Sequence, residues 1–304
     1  MGISFAAGDG GFTIDGRRAS FTQSWGLKVT GGSITGTAKN ITIKNADFTG
    51  GVTIDGVTNA NILFDHNLHH DLSGYDTTAA LHLSYGSSVP SGVTVQKSLF
   101  RDMSADAIQH GPAMKILNNE FSNIDPRAAG GDSSLHTDAV QPYSGCSGGI
   151  GSTITGNYFH EGEQAIGAFD GTCAMTVEDN VVQNFSGHQI TLMADRPGSS
   201  VRHNTVVGTG PRRIDCASKP NAQPSLTSIR DNIAAAISTS GSTNCTPSAN
   251  HDNMLTNASG QNFAGTPLFV GGANPTTYAG FELAPGSPGK GRASDGLDVG
   301  VRYP

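Results

Sequence analysis

A chain of 304 residues that is 36% hydrophobic is long enough to bury one large core and compatible in length with two domains. Its 41 glycines, single tryptophan, 14% charged residues and abundant Asn, Ser and Thr disfavour helices and point to an all-β chain. With a net charge of −7 and no Lys/Arg cluster long enough to follow a phosphate backbone, no nucleic-acid partner is expected, and no apolar run approaches a membrane span.

The opening residues, MGISFAAGDGG, have neither the basic start nor the apolar stretch of a signal peptide. The expectation is a secreted protein whose signal has been removed. Further along, Asn recurs just after a β-rich run, in IKNADF, FDHNLH, ILNNEF, ITGNYF, VEDNVV, VRHNTV and IRDNIA. The positions are 45, 67, 119, 157, 180, 204 and 232, with Ser98 of VQKSLF filling the longest gap. Successive steps of 22, 31, 21, 38, 23, 24 and 28 residues form a loose period with insertions, as in a solenoid. The segments are β-branched and alternating, and Asn tolerates the left-handed conformation of a tight bend, so stacked β-coils with an Asn ladder are expected.

This pattern resembles the right-handed parallel β-helix of the pectate-lyase-like superfamily. The resemblance implies an all-β, single-stranded right-handed parallel β-helix forming one domain over residues 1–304. Coils are expected over about residues 10–270 and a closing segment over about 271–304, where FELAPGSPGKGRASDGLDVGVRYP resembles the end of secreted β-helix proteins.

A second register runs through AALHLSYG, DAIQHG, DAVQPYSG, QAIGAFDG and HQITLMAD, aligned on Leu81, Ile108, Val140, Ile166 and Ile190 and continued by Arg213-Ile214. Cys146 lies six residues after its anchor and Cys173 seven after its own, on neighbouring rungs about 4.8 Å apart. That spacing is near disulfide reach, so Cys146–Cys173 is the expected pair, with Cys216–Cys245 as the second. Disulfides favour an extracellular location.

With the anchors pointing inward, neighbouring positions form columns on the sheet face. Two residues before the anchor stand Ala79, Asp106, Asp138, Gln164, His188 and Arg212; one after it, His82, Gln109, Gln141, Gly167, Thr191 and Asp215; three after it, Ser84, Gly111, Tyr143, Phe169 and Met193. Polar groups for hydroxyls beside aromatic faces suit a saccharide groove. Asp106 and Asp138, one rung apart, are placed to perturb each other's ionisation or to share a cation such as Ca2+. An aspartate at such a bend also caps backbone amides. His136 flanks Asp138, and Arg196 of ADRPGSSVRHN is placed to reach the groove. DHNLHHD offers three histidines that either ligate a metal or flank a turn, and GSPGKG lacks the remaining residues of a phosphate loop.

The first functional expectation is a polysaccharide lyase acting on a uronic-acid polymer, with His136 or His188 as base, Tyr143 as acid, and Arg196 or Arg212 holding the substrate carboxylate. In that reading Gln141, Gln109, His82, Gln164 and Phe169 line the substrate, and Asp106 and Asp138 would hold Ca2+, as the resemblance to pectate lyases implies. The arginine motif of pectate lyases and the lysine and arginine arrangement of alginate and chondroitin lyases are not found. The alternative is a glycoside hydrolase using Asp106 and Asp138 as its carboxylate pair, since HTDAVQ resembles the NTDGID rung of polygalacturonases. That family's double aspartate, Gly-His-Gly and Arg-Ile-Lys motifs are absent. The third is a non-catalytic glycan-binding or tail-spike-like β-helix. With no trimerisation segment, a monomer is expected.

Overall fold

Short alternating segments such as VTVQ and MKIL bury every second side chain, which is the pattern of a strand with one face on a core. The computed structural model is described over residues 1–17, 25–74, 79–84, 90–111, 113–142, 151–194, 198–216, 227–238, 245–247, 253–256 and 262–303, without the side chains at 84, 170, 171, 194 and 245–247. The strands form three parallel sheets, two of ten strands and one of eleven, among these residues. Consecutive strands fall in consecutive sheets, so each three-strand coil stacks on the one before. The first sheet holds Asp106–His110 and Asp138–Pro142, the second Met114–Leu117, and the third Glu120–Ile124. No α-helix is present among the described residues, and none of their helices is long and apolar enough to cross a membrane.

The coils enclose one continuous apolar core from Ile3 to Leu255. Strands run from Gly2–Phe5 to Phe263–Ala264, so coiling begins before residue 10, where the sequence repeat first becomes visible. Gly2–Phe5 is only four residues long and precedes the first Asn, which left its periodicity unreadable.

The Asn ladder is present. The backbone N–H of Asn67 donates to Ser98 Oγ at 3.1 Å, and that of Ser98 to Asn119 Oδ1 at 3.0 Å. The chain of bonds continues through Asn157, Asn180, Asn204, Asn232 and Asn253. Asn253 then donates from Nδ2 to Asn262 Oδ1, so the ladder runs two members past Asn232. Asn45 is not a member: Ala46 holds that rung and donates to Asn67 Oδ1, while Asn45 bonds Asp15. The left-handed bend also belongs elsewhere than expected. Asn45, His66, Lys97, Asn118, Gly156, Asp179, His203 and Asp231, each one residue before the ladder position, have φ between 50° and 73°. A ladder side chain must point inward to reach its neighbours, so the residue before it makes the turn.

The closing segment packs on the outer face of the third sheet. Arg302 forms a two-pronged ion pair with Asp179 at 3.0 Å per bond, Ser294 bonds Asp231, and Phe281, Leu283, Val299 and Val301 cover Tyr158, Val181 and Ile233. Of the DHNLHHD histidines, His66 makes a bend, His69 is buried, and His70 sits between Asp47 and Asp71 at 2.7 Å from each.

Candidate functional site

The columns of the first sheet follow the expected register. Leu81 pairs with Ile108, Ile108 with Val140, Val140 with Ile166, Ile166 with Ile190, and Ile190 with Ile214. His82, Gln109 and Gln141 are therefore consecutive neighbours, as are Gly167, Thr191 and Asp215, and Asp138 pairs with Gln164.

Simple alternation would send the residue two before each anchor inward with it. Instead Ala80, Ala107, Ala139 and Ala165 are buried in the core together with the anchors that follow them. Two successive inward residues break the alternation at the start of each strand, and Asp106 and Asp138, just before their alanines, are themselves buried. A small residue is required there because a larger one would crowd the anchor.

Asp106 serves the scaffold. Its Oδ1 accepts the backbone N–H of Asp138 at 2.7 Å, and its Oδ2 accepts Gln109 Nε2 at 2.7 Å. Gln109 also donates to Gln141 Oε1 at 2.9 Å, which fixes both amides along the column. The carboxylate of Asp138 is fully buried against the next rung. A Cβ on Gly167 would lie 2.3 Å from Asp138 Oδ1 and 2.5 Å from Phe169 Cε2, so any larger residue there would have to displace one of those side chains.

Ca2+ binds six to eight oxygens. Each oxygen of Asp106 accepts one internal N–H bond, and no group of three His, Cys, Asp or Glu is arranged to hold a metal among the described residues.

The next rungs bring reactive groups together. Phe169 meets His188 edge-on, with ring centroids 5.0 Å apart. His188 Nδ1 lies 3.2 Å from Thr191 Oγ1 and 3.6 Å from Asp215 Oδ2, while the side chain keeps 42% exposure. Asp215 is in turn gripped by Arg213, whose Nε lies 2.7 and 2.9 Å from its two oxygens. An imidazole hydrogen-bonded to a hydroxyl at one nitrogen, with a carboxylate 3.6 Å from that nitrogen and much of the side chain exposed, is suited to proton transfer with a ligand. Thr191, Asp215 and Arg213 are not among the site residues expected from the sequence. Thr191 and Asp215 stood in a column, but their convergence on a histidine three positions away in register appears only in three dimensions.

Other expected site residues lie elsewhere. His136 is exposed in the loop before its strand, and no described contact joins it to the column. Its neighbour Thr137 donates its backbone N–H to Glu163 Oε2 at 2.8 Å. Arg212, with φ 51°, turns the chain and lines a cavity with Val207, Ala235 and Phe269 on the closing-segment side. The next residue, Arg213, opens the first-sheet strand Arg213–Cys216 and pairs with Asp215. Gln164 is buried, with no hydrogen-bond partner for Oε1, and His82 stands at the early end of the column. Tyr143 and Arg196 lie outside the described residues.

Cys173 and Cys216 are disulfide-bonded, and no described cysteine is free. Cys146 and the side chain of Cys245 fall outside the description, and with them the expected pairings.

A family model described as right handed beta helix region matches residues 80–253, more than half of the chain and every rung from Leu81 to Ile214. No curated protein matches the sequence.

Proposed function

The chain belongs to the right-handed β-helix family, and from that premise we propose that it is a secreted polysaccharide lyase acting on a uronic-acid polymer. The fold is compatible with polysaccharide-degrading enzymes but does not by itself select a reaction. The observation that carries the reading is His188, backed by Asp215 and Thr191 and flanked by Phe169. In β-elimination His188 takes the C5 proton of the uronate, the C5 electron pair forms a double bond to C4, and the C4–O bond breaks. The imidazolium returns the proton to the leaving oxygen. Arg213 stands beside this centre to face the substrate carboxylate, while Gln109, Gln141 and Phe169 receive neighbouring sugar rings. The disulfide-bonded state of Cys173 and Cys216 supports an oxidising, extracellular setting.

A hydrolase built on Asp106 and Asp138 is less well supported. One carboxylate is occupied by internal N–H donors and the other is fully buried, so neither is presented to a glycosidic oxygen.

The test is incubation with a panel of acidic and neutral polysaccharides, recording ultraviolet absorbance of unsaturated uronates beside reducing ends. A parallel rise that is lost in His188→Ala supports the lyase. Reducing ends without absorbance would replace it with hydrolysis, and binding with neither signal would replace it with a glycan-binding protein.

A further inference from the structure

A second cleft, of about 620 Å3, lies where the corner between the second and third sheets meets the closing segment. Trp25, Tyr158, Tyr278 and Tyr303 line it together with Lys97 and Glu120. None of these residues belongs to the first sheet that carries His188.

Three of the four aromatic rings have their polar tips tied to the protein. Trp25 Nε1 donates to the His66 carbonyl at 2.8 Å, Tyr158 Oη to Gln183 Oε1 at 2.7 Å, and Tyr278 Oη to the Asp179 carbonyl at 2.6 Å. Tyr158 is itself buried between His160 and Phe281 and forms the floor of the cleft, so the apolar surface held in position for a ligand comes from Trp25 and Tyr278, with Tyr303 exposed beside them. Trp25 is held at φ 70°, a region that bulky side chains seldom occupy, and its indole bond helps to keep it there.

The hydrogen-bonding capacity comes from the exposed residues Lys97 and Glu120, one charge of each sign, with Glu120 Oε1 also paired with His160 Nε2 at 3.0 Å. A purely apolar ligand would cover both charges without offering partners. A polyanion would gain at Lys97 and lose at Glu120. A chain of uncharged hydroxylated rings satisfies both charges and stacks on the aromatics, and the volume lies within the usual range of small-ligand sites. We infer that this cleft binds a neutral oligosaccharide, independently of the rungs around His188.

Trp25 is the only tryptophan in the chain, so its fluorescence reports on the cleft alone. The experiment titrates the full chain with cellohexaose, xylohexaose, mannohexaose and maltohexaose, with an oligogalacturonate of equal length as the charged comparison. At least one neutral hexaose should change Trp25 emission saturably and bind more tightly than the oligogalacturonate. Tyr303→Ala, at an exposed position near the chain end, should weaken that binding about tenfold without unfolding the coils. His188→Ala should keep the fluorescence response, which separates this site from failure or success of the catalytic reading. The inference is overturned if no neutral hexaose alters the emission, if the oligogalacturonate binds more tightly than all of them, or if the response is unchanged in Tyr303→Ala.

Discussion

The imidazole of His69 lies parallel to the phenyl ring of Phe100, with centroids 4.4 Å apart and planes 6° from coplanar. It is one member of a stack that runs from Phe48 through His69, Phe100 and Phe121 to Phe159, one ring per coil. His69 is fully buried, and neither of its ring nitrogens has a hydrogen-bond partner. Burial holds its pKa down at about 3, against an ordinary value of 6.5.

This makes the fold sensitive to acid in a definite direction. Above pH 6.5 the imidazole is neutral both folded and unfolded, so it contributes no pH dependence. Between 6.5 and about 3 only the unfolded chain takes up the proton, and stability falls as pH falls. At pH 5 this disfavours folding by about 2 kcal/mol. His110, buried and held at about 4, acts in the same direction. His69→Phe should continue the stack, raise the melting temperature at neutral pH by removing an unsatisfied polar group, and raise it more at pH 5. Thermal melts of both proteins across pH 4 to 8 provide the check, and equal shifts at every pH would contradict the assignment.

The ladder should be least tolerant of change at its centre. Asn157 accepts from the backbone N–H and the Nδ2 of Asn119, and donates to Ile116 O and Asn180 Oδ1. Asn157→Ala strands buried donors and acceptors on two neighbouring coils and should cost about 3–5 kcal/mol in denaturant unfolding. Asn45→Ala, outside the ladder, should cost about 1–2 kcal/mol, mainly from its left-handed backbone.

Asp215→Asn retains the shape of the groove and removes the charge behind His188. The expected result is a loss of about 10²-fold or more in kcat, with a displaced pH profile and an unaltered melting temperature. A pH–rate series on the polysaccharide identified by the panel measures it. Loss of fold rather than rate would make Asp215 a structural partner of Arg213.

Gly167→Ala tests the packing beneath the groove. Its φ is not left-handed, so any effect is steric: the new methyl would displace the Asp138 carboxylate or the Phe169 ring. Turnover should fall while the far-ultraviolet circular dichroism keeps its β signature, and a larger Gly167→Val should be worse on both counts.

Chelation supplies a further check. Because both Asp106 oxygens accept internal N–H bonds, treatment with EDTA should leave the rate within about twofold of its starting value. A rate abolished by EDTA and restored by Ca2+ would show that a cation is held here after all.

The sequence by itself determined the coil architecture, the register of the first sheet and most of the Asn ladder. Each of these rests on a property that repeats: stacked rungs place chemically similar residues at one offset, so periodicity alone brings Val140 beside Ile166 and Asn157 beside Asn180. Only the tertiary structure decided which polar residues meet. His188 and Asp215 belong to different rungs and different offsets, and Asp106 is engaged by the backbone N–H of Asp138 and by Gln109. Arg212 and Arg213 differ by a single position, yet a left-handed turn sends one to the closing segment and leaves the other beside Asp215 on the first sheet. Such outcomes depend on bends, side-chain reach and local crowding, which have no period to be read along a chain.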